Sequence, residues 1–325
     1  MRTCHGSSIL EKMVFDSPRA DRPTTADCPA GVRRLMVIFN PTAGGNRRRR
    51  LRATLAALDR HGCAVVLRET GKVGDAEAFA AAASPEDCDV LVVAGGDGTI
   101  NEAVNGLVSA GSRVPLGIIP LGTANVLAHE IGLPLAPAKV AQALATGPVR
   151  RIHLGRAGDR CFLLMAGAGF DAVVVEHVDL RLKRRFGKAA YVWEMLRQSR
   201  RYPFPTLSVT DHATGTVHQA ATAVALNGRL YGGPFVVVRD GGLTEPRLDM
   251  ILLKRKGMWN VLRYAVGLAT GALADFADVE VLRSTSFTID GSPAREPVQG
   301  DGDIIARLPT QVSIADDSVG LVYPA

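Results

Sequence analysis

Residues 89–102 read Asp-Val-Leu-Val-Val-Ala-Gly-Gly-Asp-Gly-Thr-Ile-Asn-Glu, an apolar run followed by a glycine-rich turn. The unalternated run Asp89–Ala94 predicts a strand that is buried on both faces, and Ile100–Leu107 predicts a helix. The glycines let the turn bring backbone N–H groups close to phosphate oxygens, and the helix presents its positive end to the same place. This stretch therefore predicts a phosphate-binding loop between a strand and a helix.

The carboxylate of Asp97 lies inside this loop, where it would repel a phosphate group directly. Its presence is explained if a Mg²⁺ ion lies between Asp97 and the phosphates, because Mg²⁺ is usually held by one or two carboxylates and by phosphate oxygens. The alternative is an Asp-Gly turn with only a structural role. The place of the turn, after an apolar strand and before a helix, favours the functional interpretation.

Three further apolar runs in the first half predict strands of the same kind, and helical patterns separate them. The runs are Leu35–Phe39, Cys63–Leu67 and Pro115–Pro120, with helices near 51–61 and 75–83. Strands and helices that alternate in this way predict an α/β domain with a parallel sheet covered on both faces.

Two more glycine-containing polar turns end strands of this predicted sheet. They are Asn40–Asn46 after the first strand and Pro120–Asn125 after the fourth. Ligands of open parallel sheets collect at the carboxyl ends of the strands, so the three turns are expected to converge on one ligand.

The second half of the chain has a different sequence pattern. From Ile152 onward, short β-type runs such as Cys161–Ala166 and Ala220–Leu226 are separated by turn residues, with helical patterns at about Lys188–Arg200 and Met258–Thr270. This pattern predicts a β-sandwich or an open barrel. We therefore predict a disordered leader at 1–32, an α/β domain at 33–150 and a β-rich domain at 151–325, with the active site in the cleft between the two domains.

The composition agrees with two ordinary globular domains, since 47% of the 325 residues are apolar. A formal net charge of +6 fits a phosphate-bearing ligand or an anionic membrane surface. The five scattered cysteines form no CxxC pair, which argues against a zinc site or a disulfide framework and favours a reducing cytoplasm. No apolar run reaches the length of about 20 residues that a spanning helix needs, so membrane contact is expected to be peripheral.

Taken together, the turns closely resemble the catalytic family of diacylglycerol kinases and its bacterial lipid kinase branch. The matching residues are Asn40-Pro41 with Gly44, then Gly95–Thr99 with Asn101, Glu102, Asn105 and Gly106, and then Gly117–Asn125. The resemblance continues through Gly167–Ala172, Asn227-Gly228 and Tyr231–Gly233, and it spans about residues 35–325. The Gly-Gly-Asp-Gly-Thr element alone is shared with NAD kinases, so the ensemble carries the resemblance.

The resemblance implies an NAD kinase/diacylglycerol kinase-like fold and an ATP- and Mg²⁺-dependent lipid kinase. Such an enzyme transfers the γ-phosphate to a hydroxyl of diacylglycerol or a related long-chain lipid, with the nucleotide on the first domain and the lipid on the second. The implied nucleotide contacts are Asn40, Pro41, Thr42, Gly44, Thr70, Gly95, Gly96, Asp97, Gly98, Thr99, Ile100, Asn101, Gly122, Thr123 and Asn125.

The family also places a catalytic carboxylate in a late Asp-Gly-Glu turn. Two turns are candidates here, Asp290-Gly291-Ser292 and Asp301-Gly302-Asp303. We choose the second, because Pro297–Gln299 precede it, a strand-like run follows it, and it lies a short distance from the C-terminus. Asp303 then stands where the family usually has Glu and is the expected base, with Asp301 and Asp97 as the other catalytic carboxylates.

Bacterial members of the family bind a structural Mg²⁺ at an Asp-Gly turn after the Tyr-Gly-Gly strand. The matching stretch is Gly242–Arg247, in which Glu245 and Pro246 replace the Asp and the Gly. The resemblance implies metal ligands at Asp97, Gly242, Glu245 and Arg247, and an ordinary surface turn at 242–247 is the alternative.

Residues 181–201 mix basic residues with the aromatic residues Phe186, Tyr191 and Trp193. Such a mixture suits an interfacial segment on anionic headgroups, and the alternative is a solvated basic helix with its aromatic residues in the core. We therefore expect a cytoplasmic protein that associates peripherally with membranes. Its expected partners are a diacylglycerol-like lipid substrate and an anionic membrane surface; a homodimer is one candidate assembly, and nucleic acid is not expected.

Two other functions stay open at this point. One is an NAD kinase-like enzyme that phosphorylates a soluble nucleotide. The other is a non-catalytic lipid- or nucleotide-binding protein with a decayed kinase site, because Val126, Glu245 and Asp303 all depart from the family pattern.

Overall fold

A computed structural model describes residues 33–41, 45–178, 188–291 and 295–325. The predicted leader at 1–32, Thr42, Gly44 and the basic run 181–187 with Phe186 lie outside these ranges, and so does the side chain of Tyr191.

The first half alternates strands and helices, as predicted. Its elements are β1 (Arg34–Phe39), α1 (Gly45–Arg60), β2 (Ala64–Glu69), α2 (Asp75–Ala81), β3 (Val90–Gly95), α3 (Asp97–Ser109), β4 (Leu116–Pro120), α4 (Val126–Glu130) and α5 (Pro137–Thr146). The predicted helices at 51–61 and 100–107 are both longer towards their N-termini, because the glycine turns lead directly into them.

The second half is built mainly of strands. These are β5 (Val149–Ala157), β6 (Arg160–Phe162), β7 (Met165–Gly169), β8 (Leu207–Asp211), β9 (Val217–Ala220), β10 (Thr222–Leu226), β11 (Leu230–Tyr231), β12 (Phe235–Val236), β13 (Leu248–Leu253), β14 (Val279–Ser284), β15 (Ser286–Gly291), β16 (Pro297–Gly300), β17 (Asp303–Arg307) and β18 (Thr310–Val322). The helices in this half are α6 (Phe170–His177), α7 (Lys188–Gln198) and α8 (Met258–Thr270), and a short 3₁₀ turn covers Leu273–Asp275.

The strands β1 to β4 pair in parallel in the order β2-β1-β3-β4. Every residue of β3 and β4 is buried, which explains why these strands have no polar alternation. The carboxyl ends of β1, β3 and β4 lie side by side in register, with Phe39 of β1 opposite Ala94 of β3 and Gly95 of β3 opposite Pro120 of β4. The α/β part of the predicted fold is therefore confirmed.

A second, antiparallel sheet has the order β14-β13-β10-β7-β16-β17. It packs against the antiparallel part of the first sheet around a core that includes Phe162, Phe287, Leu248 and Met250. This arrangement confirms the predicted β-sandwich.

The last long strand, β18, links the two halves of the chain. It pairs in parallel with β4 and antiparallel with β5 and β15, so the large sheet runs β2-β1-β3-β4-β18-β15-β8-β9. The sequence pattern did not predict this strand, because the acidic pair Asp316-Asp317 interrupts it where the register with β5 shifts.

Two runs that were predicted as single strands are each divided in the structure. The run Cys161–Ala166 is split between β6 and β7, because residues between them donate their N–H groups to a side chain instead of a neighbouring strand. The run Ala220–Leu226 changes sheets at Ala221, whose N–H donates to the carbonyl oxygen of Leu253. Pattern alone does not show either change, since all these residues are apolar or small.

Within the described ranges, no helix has both the length and the apolar character needed to span a membrane.

Candidate active site

The glycine turns after β3 and β4 pack backbone against backbone. A Cβ atom built on Gly122 would lie 2.7 Å from Cα of Gly96, which is closer than side-chain carbons approach in proteins. The N–H group of Leu121 donates to the carbonyl oxygen of Gly95 at 2.9 Å. The turn after β4 therefore needs glycine at position 122 for this contact, and the backbones of the two turns form one continuous surface at the carboxyl edge of the sheet.

The turn after β1 joins this surface through Asn40. Its side-chain amide donates to the hydroxyl of Thr99 at 3.0 Å, and its backbone N–H donates to the carbonyl oxygen of Ala94 at 3.1 Å. Pro41 follows Asn40 directly, so the start of this turn lies beside the loop at 95–99. The expected convergence of the three turns is therefore present where the chain is described.

The other predicted nucleotide contacts differ in accessibility. Thr70 is buried and directs its hydroxyl to the carbonyl oxygen of Phe39, while Ile100 and Asn101 are buried on α3. Thr123 is exposed and lies 3.5 Å from a guanidinium nitrogen of Arg47. Their contacts with a nucleotide stay predictions, and the accessible groups are the glycine backbones, Thr123 and Arg47.

Asn125 holds a left-handed backbone conformation with a φ of 48° and is buried. Its side-chain oxygen finds no hydrogen-bond partner in the described part of the chain. A buried acceptor without a donor costs stability, so it is a candidate to receive a hydrogen bond from a ligand or water.

Asp97 begins α3 and points across the turn to the start of α4. One of its oxygens accepts a hydrogen bond from the N–H group of Leu127 at 3.2 Å. Burial raises the pKa of Asp97, while the backbone N–H groups around residues 125–127 oppose that rise. A positive ion beside this carboxylate would relieve the cost of burying its charge.

Asp301 and Gly302 form the two-residue turn of the hairpin between β16 and β17. Both have a positive φ, 51° and 90°, the backbone that a tight hairpin turn requires and that Asp-Gly favours. The carboxylate of Asp301 accepts hydrogen bonds from the N–H groups of Leu163, Leu164 and Met165 at 2.6–3.0 Å. These bonds tie the hairpin to the segment between β6 and β7.

The surroundings of Asp301 act on its pKa in opposite directions. Burial raises the pKa to about 7, and the nearby charge of Asp97 adds to the rise, while the three backbone donors lower it. Since Asp97 belongs to the first domain and Asp301 to the second, the fold brings carboxyl groups of both domains into one electrostatic environment.

Asp303 is exposed at the start of β17, and its side chain makes no hydrogen bond or ion pair with the residues that the structure describes. One of its oxygens would lie 3.3 Å from a Cβ atom built on Gly98, so its carboxylate lies against the glycine loop. Burial is the largest cause of the raised pKa of Glu102, and the charge of Asp303 adds to this rise. By contrast, Asp290 is exposed on β15, where it pairs with Ser208 of β8.

A partly buried chain of hydrogen bonds supports the hairpin turn on its inner side. The hydroxyl of Tyr231 donates to Asp171, the side-chain amide of Gln299 donates to the other Asp171 oxygen at 2.8 Å, and the N–H of Gly302 donates to the Gln299 oxygen at 3.0 Å. Burial raises the pKa of Asp171. Sequence reasoning gave Asp171 and Tyr231 no role, although both lie in family-like motifs, and it missed Gln299 because no spacing links residue 299 to residue 171.

Two further contacts fix the first domain to the second. The Asn105 side chain on α3 donates to the carbonyl oxygen of Cys161 and accepts from its N–H group, both at 2.9 Å. Arg160 makes a two-pronged ion pair with Glu77 of α2, with both distances 2.8 Å. Sequence reasoning assigned no role to these residues, although Asn105 lies in a motif that carries the resemblance.

The turn at 242–247 is filled by an arginine side chain. Arg247 donates to the carbonyl oxygen of Asp240 at 2.9 Å and forms ion pairs with Glu245 at 3.3 Å and with the buried Asp249 at 3.9 Å. A guanidinium group already neutralises these oxygens, so the residues present do not fit a second metal ion well. A metal site formed by Gly242, Glu245 and Arg247 therefore stays a prediction, and the contacts of Arg247 argue against it.

The residues at the glycine loop fit a magnesium ion better. No three His, Cys, Asp or Glu side chains are gathered into a metal site within the described ranges. Mg²⁺ usually needs only one or two carboxylates, and takes its other oxygens from phosphates and water. The half-buried carboxylate of Asp97, whose charge acts on Asp301, suits that mode of binding.

Comparison with known proteins agrees with both halves of the fold. The sequence model of the diacylglycerol kinase catalytic domain matches residues 34–157, and that of the YegS C-terminal NAD kinase beta sandwich-like domain matches residues 165–323. A solved structure of a putative diacylglycerol kinase from Bacillus anthracis superposes with a TM-score of 0.72 at 23% identity, covering 89% of this chain and 97% of the other.

Curated relatives are also similar over most of their length. The diacylglycerol kinase of Bacillus subtilis is 31% identical over 72% of this chain and 78% of its own length. The diacylglycerol kinase of Staphylococcus carnosus is 34% identical over 85% of this chain and 90% of its own. A probable lipid kinase YegS-like of Pseudomonas putida is 31% identical over 75% and 83%. The chain therefore belongs to the diacylglycerol kinase family.

Proposed function

We propose that this protein is an ATP- and Mg²⁺-dependent lipid kinase that transfers the γ-phosphate to a hydroxyl of diacylglycerol or a related long-chain lipid. The observation that carries the proposal is the approach of Asp303 to Gly98, which places a free carboxylate at the glycine loop. Membership of a family whose relatives carry the name diacylglycerol kinase supports the lipid acceptor.

The first domain supplies the groups that would hold the triphosphate. Backbone N–H groups of the loop at 95–99 and the N-terminus of α3 favour negative charge, and Gly122 leaves room for close approach. Arg47 lies beside Thr123, at the rim of the same surface. These groups would orient the γ-phosphate towards the second domain.

Asp97 would hold the magnesium ion, which when bound neutralises charge that develops on the phosphate oxygens. The side chain is well placed for this role, because the hydrogen bond that it accepts from the N–H of Leu127 fixes its direction. Most of the rate enhancement of phosphoryl transfer comes from positioning and from charge stabilisation of this kind.

Asp303 would act as the base for the lipid hydroxyl. As the hydroxyl oxygen bonds to the γ-phosphorus, the bond from phosphorus to the β–γ bridging oxygen breaks, ADP leaves, and the hydroxyl proton passes to the Asp303 carboxylate. A positioned base of this kind contributes about 10²–10⁴-fold. Aspartate at position 303 is one methylene shorter than the glutamate of the family pattern, and its approach to Gly98 supports its assignment as the base.

A lipid acceptor implies work at a membrane surface, and we propose that the protein acts there peripherally from the cytoplasmic side. The positive net charge of +6 supports contact with anionic lipids.

The competing functions are separated by one experiment. The protein is incubated with ATP labelled at the γ-phosphate, Mg²⁺, and either dispersed diacylglycerol or NAD. Label in the organic phase with diacylglycerol is the expected result. Label on NAD would replace the proposal with a soluble-nucleotide kinase, and no transfer to any acceptor would favour the non-catalytic alternative.

A further inference from the structure

The helix α8 has an apolar stripe that faces solvent. Trp259 is 77% exposed and Val266 is 62% exposed, Ala269 is also exposed, and Leu262 is half-buried. These residues recur at helical spacing and therefore lie along one face. An apolar face of this kind on a surface helix marks a place that is covered by a partner.

The opposite face of α8 is attached to the domain. Tyr264 is buried and donates its hydroxyl to Asp278, and Gly267 lies so close to the ring of Phe276 that an added Cβ would be 2.7 Å from it. Val261 packs against a cluster of aromatic and aliphatic side chains that includes Phe170 and Phe204. The helix therefore cannot turn its outer stripe inwards without losing these contacts.

The charge around the stripe is strongly one-sided. Residues 254–270 contain the basic residues Lys254, Arg255, Lys256 and Arg263 and no acidic residue. Lys254 pairs with Glu280 at 2.9 Å, and both Arg255 and Arg263 pair with Asp278. The ammonium group of Lys256 forms no ion pair within the described ranges and donates to the hydroxyl of Thr206. An excess of positive charge therefore borders the exposed tryptophan.

A second exposed tryptophan lies on the neighbouring helix. Trp193 on α7 is 64% exposed, and Met195 of the same helix packs on the same cluster as Val261. Arg200 and Arg201 are exposed just after α7 and have no ion-pair partner within the described ranges. The two helices thus flank one cluster with exposed tryptophans and basic residues.

We propose that the outer face of α8, with Trp259, Leu262 and Val266, docks on a bilayer that contains anionic lipid, beside Trp193 of α7. Tryptophan is favoured at the boundary between headgroups and acyl chains, and basic residues attract anionic headgroups. A symmetric second copy is a poorer occupant, because a self-complementary contact would join two equally basic surfaces, and residues 254–270 offer no acidic residue to pair with Lys256.

The biological role of this surface rests on the proposed function. Phe170 of the cluster is adjacent to Asp171, and Asp171 connects through Gln299 to the turn that carries Asp303. A bilayer at α8 would therefore lie against the cluster that adjoins this hydrogen-bond chain.

The test uses the full chain and vesicles, without ATP. The protein has two tryptophans, so Trp193→Phe leaves Trp259 as the only tryptophan emitter. We expect its emission to shift to the blue with vesicles of phosphatidylcholine and phosphatidylglycerol, and much less with phosphatidylcholine alone or at high salt. In sedimentation assays, Trp259→Ala should weaken partitioning about tenfold, as expected for removing one large apolar side chain.

Val217→Ser is the matched control for Val266→Ser, because Val217 is also exposed, at 57%, but lies on β9. Only Val266→Ser should weaken vesicle binding, and thermal unfolding should show that each variant is folded. An unshifted Trp259 emission would overturn the proposal. So would a Trp259→Ala variant that binds vesicles normally but changes from dimer to monomer. Vesicle binding without any lipid phosphorylation would leave this surface in place and reject the proposed kinase function instead.

Discussion

Asp301 and Asp303 are separated by one glycine, yet their carboxyl groups have opposite surroundings. Asp301 is held by three backbone N–H groups, whereas Asp303 is exposed against Gly98. A group that is fixed by three bonds is suited to positioning, and a free group is suited to accept a proton. The structure therefore suggests different roles for the two residues that the sequence named together as catalytic.

Asp303→Asn should lower kcat by about 10²–10⁴-fold, since the amide cannot accept the lipid proton. The affinity for ATP should change little, because Asp303 is not among the residues expected to contact the nucleotide. Steady-state kinetics and ATP titration check these outcomes. The matched control is Asp290→Asn, which alters an exposed carboxylate on β15 and should leave kcat unchanged. The reverse pattern would show that the wrong turn was chosen.

Asp97→Asn should abolish phosphate transfer while the fold persists. The new side chain can still accept the hydrogen bond from the N–H of Leu127, so the start of α4 keeps its partner. It loses the charge that a magnesium ion needs. Activity measured over a range of Mg²⁺ concentrations, with a thermal unfolding curve, tests both parts. An active, well-folded variant would refute the metal role.

The raised pKa of Asp301 predicts that the stability of the fold depends on pH. Its pKa is raised to about 7 in the folded chain, against 3.8 for the ordinary group, so the folded chain binds more protons between these values. The contribution of Asp301 to the free energy of unfolding should therefore be largest below pH 3.8 and fall as the pH rises towards 7. Denaturant unfolding at several pH values measures this fall, and Asp301→Asn should remove it. An identical pH profile for the variant would contradict the assignment.

At the scale of elements, the site depends on how closely two turns approach. Gly122→Ala would place a Cβ 2.7 Å from Cα of Gly96 and 2.7 Å from the Asn125 side-chain oxygen, so the turns must move apart. We expect ATP affinity to fall at least about tenfold, because phosphate contacts depend on this spacing. Isothermal titration with ATP provides the measurement. Unchanged affinity, with unfolding also unchanged, would show that the turns do not form the nucleotide surface.

Elements of the two domains are joined at a few polar contacts. Asn105 satisfies both backbone groups of Cys161, and the carboxylate of Asp301 satisfies the N–H groups between β6 and β7. Buried groups that lose such partners cost about 1–3 kcal/mol each. These contacts therefore hold the hairpin of Asp303 at a fixed position relative to the glycine loop.

At the scale of the whole molecule, the two domains share a sheet and should not be independent. β18 lies between β4 and β15, and its residues Val312, Val319, Leu321 and Val322 are buried. Each such side chain contributes about 1.5–3 kcal/mol, so their sum approaches the net stability of about 5–15 kcal/mol for a typical protein.

A chain that ends at residue 309 should therefore fail to fold, as judged by circular dichroism and by the loss of a cooperative unfolding transition. Removal of only Pro324 and Ala325, which follow the strand, is the control and should leave unfolding unchanged. A cooperative transition at the original temperature in the shorter chain would show that the domains are separable.

The sequence by itself determined the class of the fold, the positions of the glycine turns and the family. Unalternated apolar runs and glycine turns are local signals, so Val90–Gly95 and Gly122 could be interpreted from their neighbours along the chain. Only the tertiary structure decided that Asp303 meets Gly98, that Gln299 joins Asp171 to Gly302, and that β18 completes the first sheet. These contacts join residues more than a hundred positions apart or depend on which face of an element is buried. The pattern of a short stretch of sequence shows neither the distant partner nor the buried face.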